Sequence, residues 1–111
     1  YRAKAMVVFP GGFGTMDELF ELLTLVQTHK IEKKMVLVLY GSSFWREIVN
    51  FDALVRWGMI SPDDVHLFHW ADDPETAFAL LKDGLTRYYL EETGAAGAPE
   101  EETPAIAKSR V

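Results

Sequence analysis

The chain has 111 residues, 49% of them apolar, with a formal charge of −6 at pH 7 and no cysteine. That length holds one domain or part of one with a real core, and the acidic balance excludes a nucleic-acid backbone or an anionic membrane as partner. The missing cysteines exclude disulfides, thiolate metal sites and cysteine nucleophiles and fit a reducing cytoplasm, and no apolar run reaches membrane-spanning length.

Residues 5 to 9 predict a first strand, apolar throughout and therefore central and parallel. The strand runs into Pro10-Gly11-Gly12-Phe13-Gly14, and from Thr15 to Lys30 the spacing of Leu19, Leu22, Leu23 and Val26 predicts a helix. A polar connection, Ile31 to Lys34, leads to a second apolar strand, Met35 to Tyr40. Gly41-Ser42-Ser43 ends that strand, Ser42 or Ser43 caps a helix from Phe44 to Trp57, and Gly58 follows as its C′ residue. Ser61 to Asp64 reads as a turn or a short helical start, and Val65 to Trp70 as a third strand. Asp72-Asp73-Pro74-Glu75 opens a helix in which Ala77, Phe78, Leu80, Leu81, Leu85 and Tyr88 continue to Glu92. At Thr93 the composition shifts to Gly, Ala, Pro and Glu, so residues 1–92 form the folded unit and 93–111 a disordered acidic tail.

Three strand-to-helix units in succession make an α/β fold, an open parallel sheet with right-handed crossovers. The loops Pro10 to Gly14, Gly41 to Ser43 and Ala71 to Pro74 then share the carboxyl edge, where such sheets bind ligands. Three apolar strands need both faces and both edges covered, and three helices do not suffice. The expectation is that this chain is the C-terminal part of a larger domain whose N-terminal half is supplied upstream or by another chain.

The glycine turn has the makings of an anion site. Gly11, Gly12 and Gly14 let backbone approach a ligand closely, and the N–H groups of the new helix favour a phosphate. Asp17 stands where the dinucleotide fingerprint needs glycine, no acidic residue ends the second strand at Tyr40, and no Gly-Lys-Ser/Thr follows for an ATP-type loop. Thr15 and Glu18 also spell a capping box, a reading that accounts for both without any ligand. Asp17 suits the helix dipole. His29, His66 and His69 are scattered without metal-ligand spacing, and Lys33 and Lys34 lack a loop that would make either a Schiff-base lysine.

Pro10-Gly11-Gly12-Phe13-Gly14-Thr15-Met16-Asp17-Glu18 resembles the PGGxGTxxE signature of the LOG ("lonely guy") family, cytokinin riboside 5′-monophosphate phosphoribohydrolases long labelled possible lysine decarboxylases. The likeness continues through Leu23 to Thr28 and Tyr40 to Trp45, in the manner of the longer bacterial branch. It implies a Rossmann-like fold with helices on both faces, a homodimer or higher homo-oligomer, and hydrolysis of the N-glycosidic bond of a nucleoside 5′-monophosphate such as AMP, without cofactor or metal. Position by position it puts Gly11, Gly12, Phe13, Gly14 and Thr15 at the phosphate, Glu18 as the catalytic carboxylate at the ribose, and Thr24 as a further substrate contact. Family members pair the glutamate with an upstream Arg-Lys; only nine residues precede Pro10, and Arg2 and Lys4 are too close to the turn to be that pair.

The chemistry agrees with the residues. A fixed carboxylate near the anomeric carbon stabilises an oxocarbenium-like state or orients the attacking water, while the bound phosphate orients the reacting carbon. The alternative is a non-catalytic nucleotide or molybdenum-cofactor carrier on the same fold, which has no need of Glu18. Thr24 also reads as an ordinary helix-face threonine, and Phe44, Trp45, Phe51, Trp57, Phe68 and Trp70 as core or interface residues. Leu25, Val26 and their neighbours at the end of the first helix suit a subunit interface or the monomer core, and the sequence does not separate the two.

Overall fold

The computed structural model describes residues 4–28, 35–94 and 105–107, and two apolar strands form its centre. Strands β1 (Lys4–Val8) and β2 (Met35–Tyr40) run parallel in unbroken register, Lys4 level with Met35 and Val8 level with Leu39. The short strands β3 (His69–Ala71) and β4 (Ala105–Ala107) extend this to a parallel four-stranded sheet in the order β3-β2-β1-β4.

Alternation along each strand divides the core in two. Val8, Leu37 and Leu39 face helices α1 (Phe13–Thr28), α2 (Ser42–Ile48) and α3 (Phe51–Arg56), packing with Leu19, Trp45, Phe51 and Phe68. Ala5, Val7, Val36 and Val38 face α4 (Pro74–Thr93), where Ala77 and Leu81 meet them. The α/β layering with helices on both faces is therefore as expected. Trp45 is fully buried and its indole N–H donates to the Tyr40 carbonyl at 3.1 Å, which ties α2 to the end of β2.

Several boundaries differ from expectation, each for a local reason. Helix α1 begins at Phe13, before Thr15, because Met16 N–H already donates to the Gly12 carbonyl at 3.0 Å. The single helix expected over 44–57 is two: Val49 is extended (φ −123°, ψ 117°), and the Asn50 side chain restarts the helix by accepting Ala53 N–H at 2.9 Å. Gly41 (φ 91°), with no side-chain capping bond, precedes α2, and both Ser42 and Ser43 are helical. Gly58 does follow the α3 C-cap with positive φ, at 74°.

The third strand is half its expected length. Residues Pro62–His66 form a 3₁₀ turn, entered with Asp64 Oδ2 accepting Ser61 N–H at 2.9 Å, and only His69–Ala71 pair with β2. Asp73 caps α4 as predicted, accepting Thr76 N–H at 2.7 Å with Pro74 in the first turn. The helix continues one residue past Glu92 to Thr93, and Gly94 (φ 70°) ends it. Within the stretch expected to be disordered, Ala105–Ala107 pairs along β1 from Met6 to Val8, giving the backbone groups on that edge partners. The rest of that tail, the Ile31 to Lys34 connection, His29, Lys30 and Arg2 lie outside the described residues. No helix among the described residues is long and apolar enough to cross a membrane.

Gly84 marks the closest approach of α4 to the sheet. A Cβ there would overlap the Val36 side chain, which is 3% exposed and has a stiff χ1. Gly84→Ala gains helix propensity but overpacks this contact, so a net loss of about 1–3 kcal/mol is expected. Urea unfolding checks it, with a lower midpoint at unchanged slope.

Candidate functional site

The level ends of β1 and β2 bring two loops together at the carboxyl edge. Phe9 and Tyr40, one after the last residue of β1 and the other the last of β2, have ring centroids 5.0 Å apart. Beyond them Pro10 packs against Gly41, where an added Cβ would stand 3.1 Å from Pro10 Cγ; with φ at 91°, this position suits glycine twice over. The second loop is fastened to the third in turn. Gly41 N–H donates to the Ala71 carbonyl at 2.8 Å, and the Asp72 carboxylate accepts Ser42 N–H at 2.7 Å and Ser42 Oγ–H at 2.8 Å.

The glycine turn lies at the inner end of this row. Gly12 is the residue from which α1 starts, and first-turn N–H groups of a helix have no acceptor within it. The turn therefore places the backbone of Phe13, Gly14 and Thr15 at the positive end of a four-turn helix. Gly12 is exposed, and Gly11 and Gly14 are half-buried. Phe13 is 95% exposed, so its ring packs against nothing in the chain's core. Thr15 is 1% exposed and is the third helical residue, which removes the capping-box reading: a residue inside the helix is not its N-cap. Glu18 follows one turn later, half-buried, with Oε1 shielded from solvent.

Thr24 stands elsewhere. At 100° per residue it lies about 120° around the helix from Glu18, and it is exposed, lining a shallow groove with Asp17, Phe20, Glu21 and Leu25. Its hydroxyl donates to the Phe20 carbonyl at 2.7 Å, the back-bond of an ordinary helix threonine. The structure thus brings Gly11, Gly12, Phe13, Gly14, Thr15 and Glu18 into one place and leaves Thr24 on the outer face of α1. Lys4 begins β1, at the far end of the strand from the turn.

A second concavity, about 470 Å³, runs along the outer side of β3 and shares no residue with the turn. Its walls include Arg46, whose guanidinium lies 4.3 Å from the Trp70 ring centroid, and His69, which burial and then Arg87 hold below the ordinary histidine pKa. Three of the six aromatics expected in the core or an interface line it: Phe51, Phe68 and Trp70, with ring centroids 4.7 to 6.0 Å apart, whereas Trp57 is 75% exposed. Among the described residues no group of three His, Asp or Glu is arranged to hold a metal.

Sequence reasoning missed Ser42 and Asp72 as partners. In the sequence Ser42 reads as a helix cap and Asp72 as part of a helix start; the signal that pairs them is a hydrogen-bonding residue just past each of two successive parallel strands.

A family profile described as possible lysine decarboxylase matches residues 1–81. The chain is similar to cytokinin riboside 5′-monophosphate phosphoribohydrolase LOG1 of Arabidopsis thaliana, 32% identical over 88 residues, 78% of this chain and 41% of that protein. It is also similar to LOG7 of the same plant, 37% identical over 62 residues, 55% of this chain and 28% of that protein. The protein of the same activity name, LOG, from Oryza sativa subsp. japonica is 39% identical over 62 residues, 55% of this chain and 25% of that protein. The chain therefore spans less than half the length of these relatives.

The loop row is expected to weaken in acid. The Ser42 backbone and then hydroxyl bonds hold the Asp72 carboxyl below its ordinary 3.8, and the Thr76 N–H does the same for Asp73. A lowered folded-state value means stability that is present above 3.8 and is lost as pH falls through the lowered value. Urea midpoints measured from pH 6 down to about 2 are expected to drop across that acid limb, less steeply in Asp72→Asn.

Proposed function

The chain belongs to the family described as possible lysine decarboxylase, which takes in the LOG proteins, and from that premise we propose that it hydrolyses the N-glycosidic bond of a nucleoside 5′-monophosphate. The observation that carries this is the juxtaposition at one strand end: a glycine-built helix start for an anion and, one turn on, the half-buried carboxylate of Glu18. Relatives named as cytokinin riboside 5′-monophosphate phosphoribohydrolases support the substrate class, with AMP or a cytokinin riboside monophosphate as the nucleotide.

In this reading the 5′-phosphate sits against the N–H groups of Phe13, Gly14 and Thr15, with Gly11 and Gly12 allowing close approach. Holding the phosphate fixes the ribose over α1, and Glu18 faces the anomeric carbon. As the bond from C1′ to the base nitrogen breaks, positive charge grows on the ribose ring and the carboxylate stabilises it. Water adds to C1′, one of its protons passes to the departing base, and free base and ribose 5-phosphate result. Binding energy from the phosphate, remote from the reacting bond, serves orientation.

The positive partner to Glu18 belongs, in our reading, to the part of the longer relatives that this chain does not span. We place Thr24 and the exposed Phe20 and Leu25 at a contact between two copies, with Thr24 reaching substrate only in such an assembly. A cytoplasmic setting suits a chain without cysteine.

The test is to incubate the full-length protein with AMP and follow adenine and ribose 5-phosphate. Equimolar release is expected, and Glu18→Gln is expected to lower kcat by about 10²–10³-fold. Equal release by both proteins removes Glu18 from the chemistry; AMP binding without release by either identifies a carrier instead.

A further inference from the structure

We propose that Asp72 is a positioning residue for the phosphate cradle: its clamp on Ser42 holds the second loop against Pro10 and so fixes the glycine turn. The proposal rests on the phosphate-binding reading above. It concerns a residue two strands away from the turn in the sheet order, with Asp72 following β3 and the turn following β1.

The mechanical path is continuous. The Asp72 carboxylate accepts both the backbone N–H and the hydroxyl of Ser42, at 2.7 and 2.8 Å. These are charge-assisted bonds, shorter and stronger than neutral ones. They orient the first residue of α2, and the neighbouring Gly41 N–H is anchored to the Ala71 carbonyl at 2.8 Å. Gly41 is then held in a left-handed conformation, φ 91°, with its Cα against the Pro10 ring. Pro10 has a fixed φ and opens the turn that ends at Gly12, where α1 begins. Support for the turn from its own side is limited, because Gly11, Gly12 and Gly14 have no side chains to pack. The second loop therefore acts as the wall against which the cradle is set.

Two features favour a positioning role over a merely local turn bond. Ser42 already follows a strand whose end is secured by the Trp45 indole bond to the Tyr40 carbonyl, so α2 does not need Asp72 in order to stay on the sheet. Asp73 alone caps α4, through Thr76, leaving both Asp72 oxygens for Ser42. Asp72 thus serves the neighbouring loop and not its own helix.

The consequence is legible in KM. A loosened cradle holds the phosphate less tightly and raises KM, and because the same hold orients C1′, kcat falls alongside it. Partial unfolding lowers apparent kcat alone, by reducing the active fraction, while KM stays put.

The experiment compares full-length wild type with Asp72→Ala, Asp72→Asn and Ser42→Ala. Expected for Asp72→Ala is a rise in KM for AMP, and in the inhibition constant of inorganic phosphate, of about tenfold, equivalent to ~1.4 kcal/mol of lost binding. Ser42→Ala and Asp72→Asn, which each keep an acceptor for the Ser42 N–H, fall between the two. Amide hydrogen exchange supplies an arm independent of turnover: Gly11, Gly12 and Phe13 exchange faster in Asp72→Ala than in wild type. Unchanged exchange at these residues, or a change in kcat alone, overturns the clamp. A wild type without hydrolysis overturns the enzymatic reading instead, and the exchange comparison still decides whether Asp72 holds the turn.

Discussion

Everything at the carboxyl edge follows from the level pairing of β1 and β2. Five consecutive residue pairs, from Lys4 with Met35 to Val8 with Leu39, leave the two strands ending within a residue of each other. A one-residue slip would turn each side chain of one strand to the opposite face and exchange leucines for valines between the two core layers. Burial on both sides forbids that slip. The register that protects the core therefore also fixes where Pro10 and Gly41 meet.

Under the proposed reading, this arrangement is what lets an acidic chain host an anion. With a formal charge of −6, the protein offers no general attraction to phosphate. What it offers is local: N–H dipoles at the start of α1, presented where three glycines keep side chains out of the way. Attraction of this kind acts at short range and depends on geometry, so the loops that set the turn matter as much as the turn itself.

The layers of the fold were legible because Met35 to Tyr40 is continuously apolar and Leu19, Leu22 and Val26 recur at helical spacing. The glycine turn was legible because Pro-Gly-Gly-x-Gly has few structural uses after a strand. Helix ends were less so: Thr15 looks like a cap in sequence, yet α1 starts from Gly12, whose carbonyl already accepts the Met16 N–H. The break at Val49 and Asn50 was hidden by apolar spacing that two short helices satisfy as well as one long one. The pairing of Ala105–Ala107 with β1 is a contact across nearly the whole chain, and three small or apolar residues in a polar tail carry little local signal. Asp72 and Ser42 were opaque for the same reason, since thirty positions separate the partners.

Gly84 has an effect on α4 beyond the room it makes. A helix resting on a sheet through ordinary side chains has several rotational settings of similar energy, because each Cβ can settle into more than one groove. Here the sheet-facing side of α4 lacks a Cβ at position 84 and the Val36 side chain occupies that gap, which with the contacts of Ala77 and Leu81 fixes the azimuth of α4. Arg87, three residues on, is thereby delivered on the same side of the helix, where its charge reaches His69 on the edge strand. The close approach at Gly84 thus bears on the smaller of the two influences on the His69 imidazole, the larger being its burial.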